Sequence, residues 1–558
     1  MKLNIKATAK AAIYSCALLI CSGCQDFIER DHPTGITDDK FWGTMNECEA
    51  ALNECKLWVK GAYGGVELGM GFFDGATDNM YFFSNFEQRI VMLGNGSLVP
   101  LTETNDPSGW EDYFKSWKNY YERIRRCNRF LEHVDQAYFT EESERTRMKV
   151  EARVWRAWYH IRLLLWYGRN DGIPIVKKSL NPEEIYMERQ PIDVCLEEIN
   201  KDLDYAIRQT DPKICPFVWD EGRRDRMSRS VALTLKMDVN LQFHKYDVAL
   251  AAARKIINAG VFQLHYKGGQ KPTLGDGSSY RDLFQYSGEN NKERILFREN
   301  GMDNIWFRYM PQSLSGQGIA APLKSLIDTY ETLEGRPLDE LTAAEKLQCE
   351  HNPLYKARDP RLSATIMMPG DRTSISNYEY KPFDSSSSDY VGKTGTSRSG
   401  YLLKKYIDEN DRASGNGTLD FMIYRYAEVL LDYVECQIQL GKHQKDPKVK
   451  EYIDAIRERA GMPKTLQFLY SDKDRLWELY KRERRVELCF EGKRYDDIRR
   501  WEIGQETMNG PIYGAWDSSK NEYVFIETRN CTFPKYDSWP LPQQEVTSNP
   551  NIHQPTGW

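Results

Sequence analysis

Residues 148–168 read "MKVEARVWRAWYHIRLLLWYG". On a 3.6-residue wheel the arginines and glutamate gather on one side and the tryptophans and leucines on the other, which predicts an amphipathic helix stopped by Gly168. The pattern repeats on both sides of this segment. Upstream, "EDYFKSWKNYYERIRRCNRFLEHVD" (111–135) sets Phe114, Trp117, Tyr121, Ile124 and Leu131 close to helical spacing, with charge between them. Downstream, a helix begins near Pro191 with "PIDVCLEEINKDLDYAI", and "MSRSVALTLKMDVNLQF" runs through "HKYD" into "VALAAARKIINAG", a helical hairpin ended by Gly260. "DFMIYRYAEVLLDYVECQIQLG" (420–441), "VKEYIDAIRERAG" (449–461) and "DRLWELYKRERRVELCFEG" (474–492) predict three more helices, each closed by glycine. Paired helices of this length joined by short turns predict an all-α fold, an alpha-alpha superhelix of the tetratricopeptide kind. Between about 262 and 418 the helical signal fades into Gly, Ser, Asp and aromatic residues, a loop-rich region on a rigid scaffold where binding residues usually sit.

The N-terminus carries a different signal. Lys2, Lys6 and Lys10 precede any acidic residue, the apolar run "AAIYSCALLI" fills 11–20, and Ser22 and Gly23 stand before Cys24. That run falls far short of the roughly 20 residues a helix needs to cross a bilayer, so 1–23 reads as a signal peptide. The C-x-x-C of "CSGCQDF" lacks the second cysteine pair or histidines of a zinc site and the strand-to-helix setting of a redox motif. It resembles instead a bacterial lipoprotein processing box, with Cys21 in place of the commoner leucine, in which Cys24 becomes the lipidated N-terminus. Ordinary secretion with a structural Cys24 is the alternative.

Loss of the three lysines takes the formal charge from −6 to −9 over the remaining 535 residues. An acidic chain with no basic tract is a poor nucleic-acid binder. No long Pro/Gly/Ser linker divides it, so 24–558 is expected to be a single domain, with "DSSSSDY" (384–390) as a solvated loop. Nine cysteines besides Cys24 lie at irregular spacing. Cys48 and Cys55, seven apart on a helix, stand about 10 Å from each other, too far for a disulfide, and buried thiols are the expectation. Aromatic residues make up 12% of the chain, with Trp 14, Tyr 33 and Phe 22. Core packing is their usual role, although Trp and Tyr also offer flat apolar faces with polar edges.

Catalytic signatures are missing from the sequence: no H-E-x-x-H, no G-x-S-x-G, and eight scattered histidines. "GKT" at 392–394 lacks the first glycine of a phosphate loop, since Ser387 stands there. Asp74 and Asp78 are numerous enough company for a glycosidase pair on paper, but nothing around them suggests the apolar pocket that would raise one pKa. In "ERRVELCFEG" the charges at 483, 484, 485 and 487 are read as structural, with Leu479, Val486 and Phe490 forming an apolar face and Glu478 and Arg482 an i,i+4 pair.

Six blocks, in order, resemble the SusD/RagB family of outer-membrane nutrient-uptake lipoproteins. They are "DDKFWGTMNECEAALNECKLWVKGAY" (38–63), "VEARVWRAWYHIRLLLWYGRNDGIPIV", with its E-A-R-x-x-R-A helix and G-x-P-x-V turn, "RYAEVLLDYVEC" (425–436), "IRERAGMP" (456–463), "RRVELCFEGKRYDDIRRW" (484–501) and the ending "WPLPQQEVTSNPNIHQPTGW". The resemblance implies four tetratricopeptide-like helix pairs, a lipid-anchored place on the outer-membrane cell surface, a SusC-like TonB-dependent transporter as partner, and capture of oligosaccharides, or in some branches peptides, without catalysis. Asp26, Glu29 and Asp31 after Cys24 fit a surface-export signal of such lipoproteins. In the tail, Pro540, Pro542, Pro550 and Pro555 exclude helix interiors, so it is expected to wrap as extended chain with Trp539 and Trp558 as packing anchors.

By region, the family's ligand site corresponds to "FFDGATDNMYFFSNFEQR" (72–89), offering Asp78, Asn79, Tyr81, Phe83 and Arg89, and to "RENGMDNIWFRYM" (298–310), offering Trp306 and Tyr309, with Trp110 in reserve. No cofactor is expected; calcium at the Asp-rich loops is left open, with no ligand spacing that indicates it. Glycan capture leads, followed by peptide capture on the same fold, a surface glycoside hydrolase, and a scaffold whose aromatic loops pack on the transporter.

Overall fold

The computed structural model describes residues 41–56, 73–83, 88–100, 116–224, 226–299, 305–352, 357–372, 378–414 and 417–558. The expected signal peptide 1–23, Cys24, the acidic residues after it and Trp110 lie outside them. Helix α1 (Met45–Cys55) opens the described chain with a capping box, Thr44 and Glu47 satisfying each other's end of the first turn. Four helix pairs follow: α2 (Ser116–His133) with α3 (Glu142–Tyr167), α4 (Ile192–Ile207) with α5 (Arg229–Gln242), α6 (Tyr246–Asn258) with α7 (Tyr426–Gln439), and α8 (Lys448–Arg459) with α9 (Lys473–Leu488). From α2 to α8 each helix packs on the next, and α9 packs back on α7, so the pairs stack into the expected superhelix. The third pair is the unusual one. Between its two helices the chain leaves for the loop-rich excursion and returns.

Helix α3 is the centre of the first half and is more deeply buried than an amphipathic helix at a surface. Its charged side is covered as well as its apolar side: Glu151, Arg156 and Arg162 are buried along with Trp155 and Trp158. The polar face meets a matching one, because Arg156 donates to both carboxylate oxygens of Asp202 on α4 and Arg147 pairs with Glu151 at 2.6 Å. Gly168 closes α3 where no side chain fits, since a Cβ there would lie 2.5 Å from the Gly172 carbonyl oxygen, and Gly172 itself has φ +72. At the far end of the chain, Trp539 stacks on Trp166 at 4.9 Å and 14°, and the Trp558 indole donates to the carbonyls of Lys535 and Ser538. Trp539 and Trp558 anchor the tail as expected, but it is not extended throughout: Gln543–Ser548 form a short helix entered from Pro542, a position where proline's missing N–H costs nothing.

Two expectations about helices need correction. Residues 421–425 are a strand, not the start of a helix: Phe421–Arg425 (β4) pairs antiparallel with Arg294–Arg298 (β2), and α7 begins at Tyr426. Its run of large apolar side chains, all buried, suits a strand sealed on both faces. In α9, the Glu478–Arg482 pair does not form; Glu478 meets Lys481 and Arg482 meets Glu331.

Glu483, Arg484 and Glu487 of α9 are buried in an ion network. Glu487 receives Arg425 at 2.7 Å, Arg361 at 3.0 Å and Arg459, while Glu483 receives Arg361 and Arg457. Arg425 also pairs with Glu293 and Glu491, both at 2.7 Å, and Arg484 joins Asp432 to Asp497. Burial alone would raise the Glu487 carboxyl, but Arg459, Arg425 and Arg361 overcome it and hold the pKa at about 2. The network ties β2, β4, α8, α9 and the helix Pro360–Thr365 together, so the returning chain is locked where it rejoins the superhelix. All nine described cysteines are buried free thiols, and no described helix is long and apolar enough to cross a membrane.

Candidate functional site

After a turn at Asp74–Ala76, strand β1 (Met80–Phe82) pairs antiparallel with β3 (Ala320–Pro322), so that Tyr81 lies opposite Ala321. The period of two buries Met80 and Phe82 and leaves Tyr81 half-exposed. The Phe83 amide donates to the Ile319 carbonyl, and the Ile319 amide to that of Arg308. The two stretches singled out from sequence, near 80 and near 306, thus meet through residue 319.

Their side chains divide into a floor and a rim. Asp78 is floor: Arg494 grips both of its oxygens, at 2.8 and 2.9 Å, and Arg485 adds a third contact at 3.0 Å. Burial pushes its pKa up, yet Arg485 and Arg494 outweigh that and keep the carboxyl well below the usual range. Asn79, fully buried, donates to Asp74 at 2.7 Å and accepts from Arg485 at 2.8 Å. Asp74 accepts from the Gly492 amide as well, and burial raises its pKa to about 6 against those hydrogen bonds. Asp74 and Asp78, both buried in these contacts, hold the α9–α10 corner (α10, Arg494–Arg500) against β1 together with Asn79.

The rim consists of Tyr81, Phe83 and the charges beside them. The Arg398 guanidinium lies 4.1 Å from the centre of the Phe83 ring. Partial burial and the Glu527 carboxylate raise the Tyr81 hydroxyl, with Arg398 and Arg529 acting in the opposite sense. Arg529, buried, donates to the carbonyls of Thr77, Gly75 and Met80 and to Glu527, which fixes the C-terminal hairpin to the segment carrying Tyr81.

Trp306 and Tyr309 are placed differently. On the short helix Ile305–Tyr309 both point inward, Trp306 at 2% exposure with its indole donating to the Leu314 carbonyl at 2.9 Å among Met310, Met367, Tyr380 and Leu402. Their i,i+3 spacing was the available sign that they share a face. Phe307, between them, is 42% exposed and is the outward ring that sequence reasoning missed. Arg89 lies on the helix Gln88–Asn95, with its side chain outside the described residues.

Rings with polar edges can receive the apolar face of a ligand and hydrogen-bond its rim. Among the described residues no group of three or more His, Cys, Asp or Glu side chains is placed to hold a metal ion.

Residues 265–558 match the family model described as SusD family, and residues 69–215 match one described as starch-binding associating with outer membrane. SusD-like protein P38 of Formosa agariphila is 22% identical over 563 residues, covering 96% of either chain. A SusD-like protein of Bacteroides fragilis has a TM-score of 0.76 at 23% identity, over 94% of this chain and 99% of its own. A SusD-like carbohydrate binding protein of the same species has 0.75 at 25% identity, over 92% and 100%. Surface glycan-binding protein A of Bacteroides thetaiotaomicron, in complex with laminarihexaose, has 0.63 at 18% identity, over 92% and 99%.

Proposed function

The chain belongs to the SusD family, and from that premise we propose that it is a non-catalytic, lipid-anchored protein of the outer-membrane surface that binds oligosaccharides and delivers them to a SusC-like TonB-dependent transporter. The observation that carries the reading is the rim: Tyr81 and Phe83 half-exposed on a strand, flanked by Arg398 and Glu527, above a floor of buried ion pairs. A rigid floor keeps the two rings oriented before a ligand arrives, which lowers the ordering cost of binding. A stacked ring contributes on the order of 1 kcal/mol, a scale taken from aromatic pairs, and the charged edges select among hydroxyl patterns. The likeness to a carbohydrate binding protein and to one solved with laminarihexaose supports a saccharide as the ligand. The buried, arginine-bound state of Asp78 supports capture without cleavage. Cys24 would supply the anchor, several acyl chains together holding where one gives only marginal binding.

The test is native affinity electrophoresis of the soluble form, beginning after Cys24, in gels containing amylopectin, laminarin, xyloglucan, homogalacturonan or chondroitin sulfate. Retardation in one gel, with affinity reduced about fivefold in Tyr81→Ala or Phe83→Ala, is the expected result. No retardation in any gel would move the reading to peptide capture or to a scaffold role. New reducing ends released from a retarding glycan would show a hydrolase instead.

A further inference from the structure

Strands β5 (Asn509–Asp517) and β6 (Glu522–Asn530) form an antiparallel hairpin that bears an unusual amount of aromatic surface. Tyr513 and Phe525, paired across the two strands with ring centres 6.0 Å apart, are 37% and 58% exposed. Next along the ribbon Trp516 meets Tyr523 at 4.9 Å, and His351 stacks on Trp516 at 3.6 Å.

The strip has polar groups at both ends. At one end the Lys324 ammonium stands 4.9 Å from the Tyr523 ring centre, and the Tyr523 hydroxyl donates to Glu350. At the other end Glu527 lies close enough to Tyr81 to raise its hydroxyl pKa, as described above. Along β6, Tyr523 and Phe525 both lie against Tyr513, with ring centres 6.3 and 6.0 Å away, and beyond a register shift Glu527 shares Arg529 with the Met80 carbonyl next to Tyr81. The hairpin is held in place from below: Gly514 is so close to Ser399 that a Cβ would lie 2.1 Å from its carbonyl oxygen, and the Ala515 amide donates to that same carbonyl at 2.7 Å.

A cross-strand aromatic pair can serve hairpin stability alone. That role does not call for a row of rings continued past the pair, edged with an ammonium and carboxylates, and leading to the rim at Tyr81. Exposed apolar surface rimmed by polar groups marks an interaction site.

We propose that this face continues the binding surface beyond Tyr81 and Phe83, and that the ligand is an extended saccharide chain whose successive units lie along the hairpin. The proposal rests on the glycan-binding reading given above. A ligand held only at Tyr81 and Phe83 would bind equally well as a short fragment or a long one; a ligand that runs on over Phe525 and Tyr513 binds more tightly with each unit added until the strip is filled.

The experiment is calorimetric titration of the polysaccharide that retards the protein in the native gels, alongside the disaccharide and hexasaccharide cut from it. The hexasaccharide is expected to bind at least tenfold more tightly than the disaccharide. The double variant Tyr513→Ala/Phe525→Ala is expected to lose about twentyfold in hexasaccharide affinity, near fivefold per ring, with disaccharide affinity unchanged. Tyr513→Leu/Phe525→Leu keeps apolar cross-strand contact without a ring face, so the same loss in that variant, with its thermal transition unmoved, separates stacking from hairpin collapse. Equal affinity for the two lengths, or hexasaccharide binding undiminished in the leucine variant, overturns the proposal while leaving glycan binding itself intact. Absence of binding to every polysaccharide overturns both together.

Discussion

Where α9 and α10 meet β2 and β4, guanidinium and carboxylate groups are sealed from water, with Glu487 and Arg459 at 0% exposure. In the β5–β6 hairpin the opposite holds, and Phe525 keeps more than half of its ring in solvent. Burying an ion costs several kcal/mol unless the partners are well placed, and in this core Glu293, Glu483, Glu487 and Glu491 each meet more than one cation. Such an arrangement has only one geometry that satisfies it. Its benefit is position: it fixes the returning chain and, through Arg485 and Arg494, the strand that carries Tyr81. The hairpin rings give folding little in return for their exposure. Charge inside sets the frame, and rings outside are free to meet a ligand.

The strongest way to break this contrast is to open the core. Glu487→Ala leaves Arg361, Arg425 and Arg459 short of a partner and is expected to cost roughly 3–5 kcal/mol in urea unfolding; a cost below 1 kcal/mol would mean that the network is not what holds the chain. Trp306→Ala, which empties a sealed site, is expected to cost about 3 kcal/mol or somewhat more. Glycan affinity measured on the folded fraction of that variant then decides whether the indole has any part in binding. Acid probes the same core without mutation. The Glu487 pKa is about 2 in the fold against an ordinary 4.5, so its contribution is fully present above pH 4.5 and is lost as pH falls through 2, on the order of 3 kcal/mol in total. A stability curve for Glu487→Gln that keeps the full slope between pH 4.5 and 2 would assign it to other carboxylates. At the far end, Phe525→Ala is expected to move stability by less than about 0.5 kcal/mol, as exposed positions do; a larger drop in the thermal transition would make that ring structural and erase the difference between the two regions.

The same contrast marks what could be read from sequence. The superhelix was legible because α2 to α9 repeat a 3.6-residue pattern over many turns and because glycines follow α3, α6, α7 and α8. A helical wheel shows sidedness but not what each side meets, so it does not show that the charges of α9 and Arg156 are buried by partners on distant segments, Arg361, Arg425 and Asp202. Of the stretch near 80, Tyr81 and Phe83 are half-exposed, whereas Asp78 and Asn79 beside them are buried against Arg494 and Arg485, partners some four hundred residues away that no local pattern announces. Tyr513 and Phe525 went unread even though "EYVFIET" alternates in the manner of a strand, because Pro511 and Gly514 interrupt the partner strand and blur its period.

The tail has a bearing on how the molecule is made. Trp539 covers one face of Trp166 at the C-terminal end of α3, Thr556 hydrogen-bonds Asp171, and Asn549 and Asn551 donate to the carbonyls of Met187 and Tyr186. A chain emerging from its N-terminus leaves that face of the indole uncovered until residues 539–558 have been synthesised. The first half cannot close fully on itself, and the arrival of that distant segment is the event that seals it.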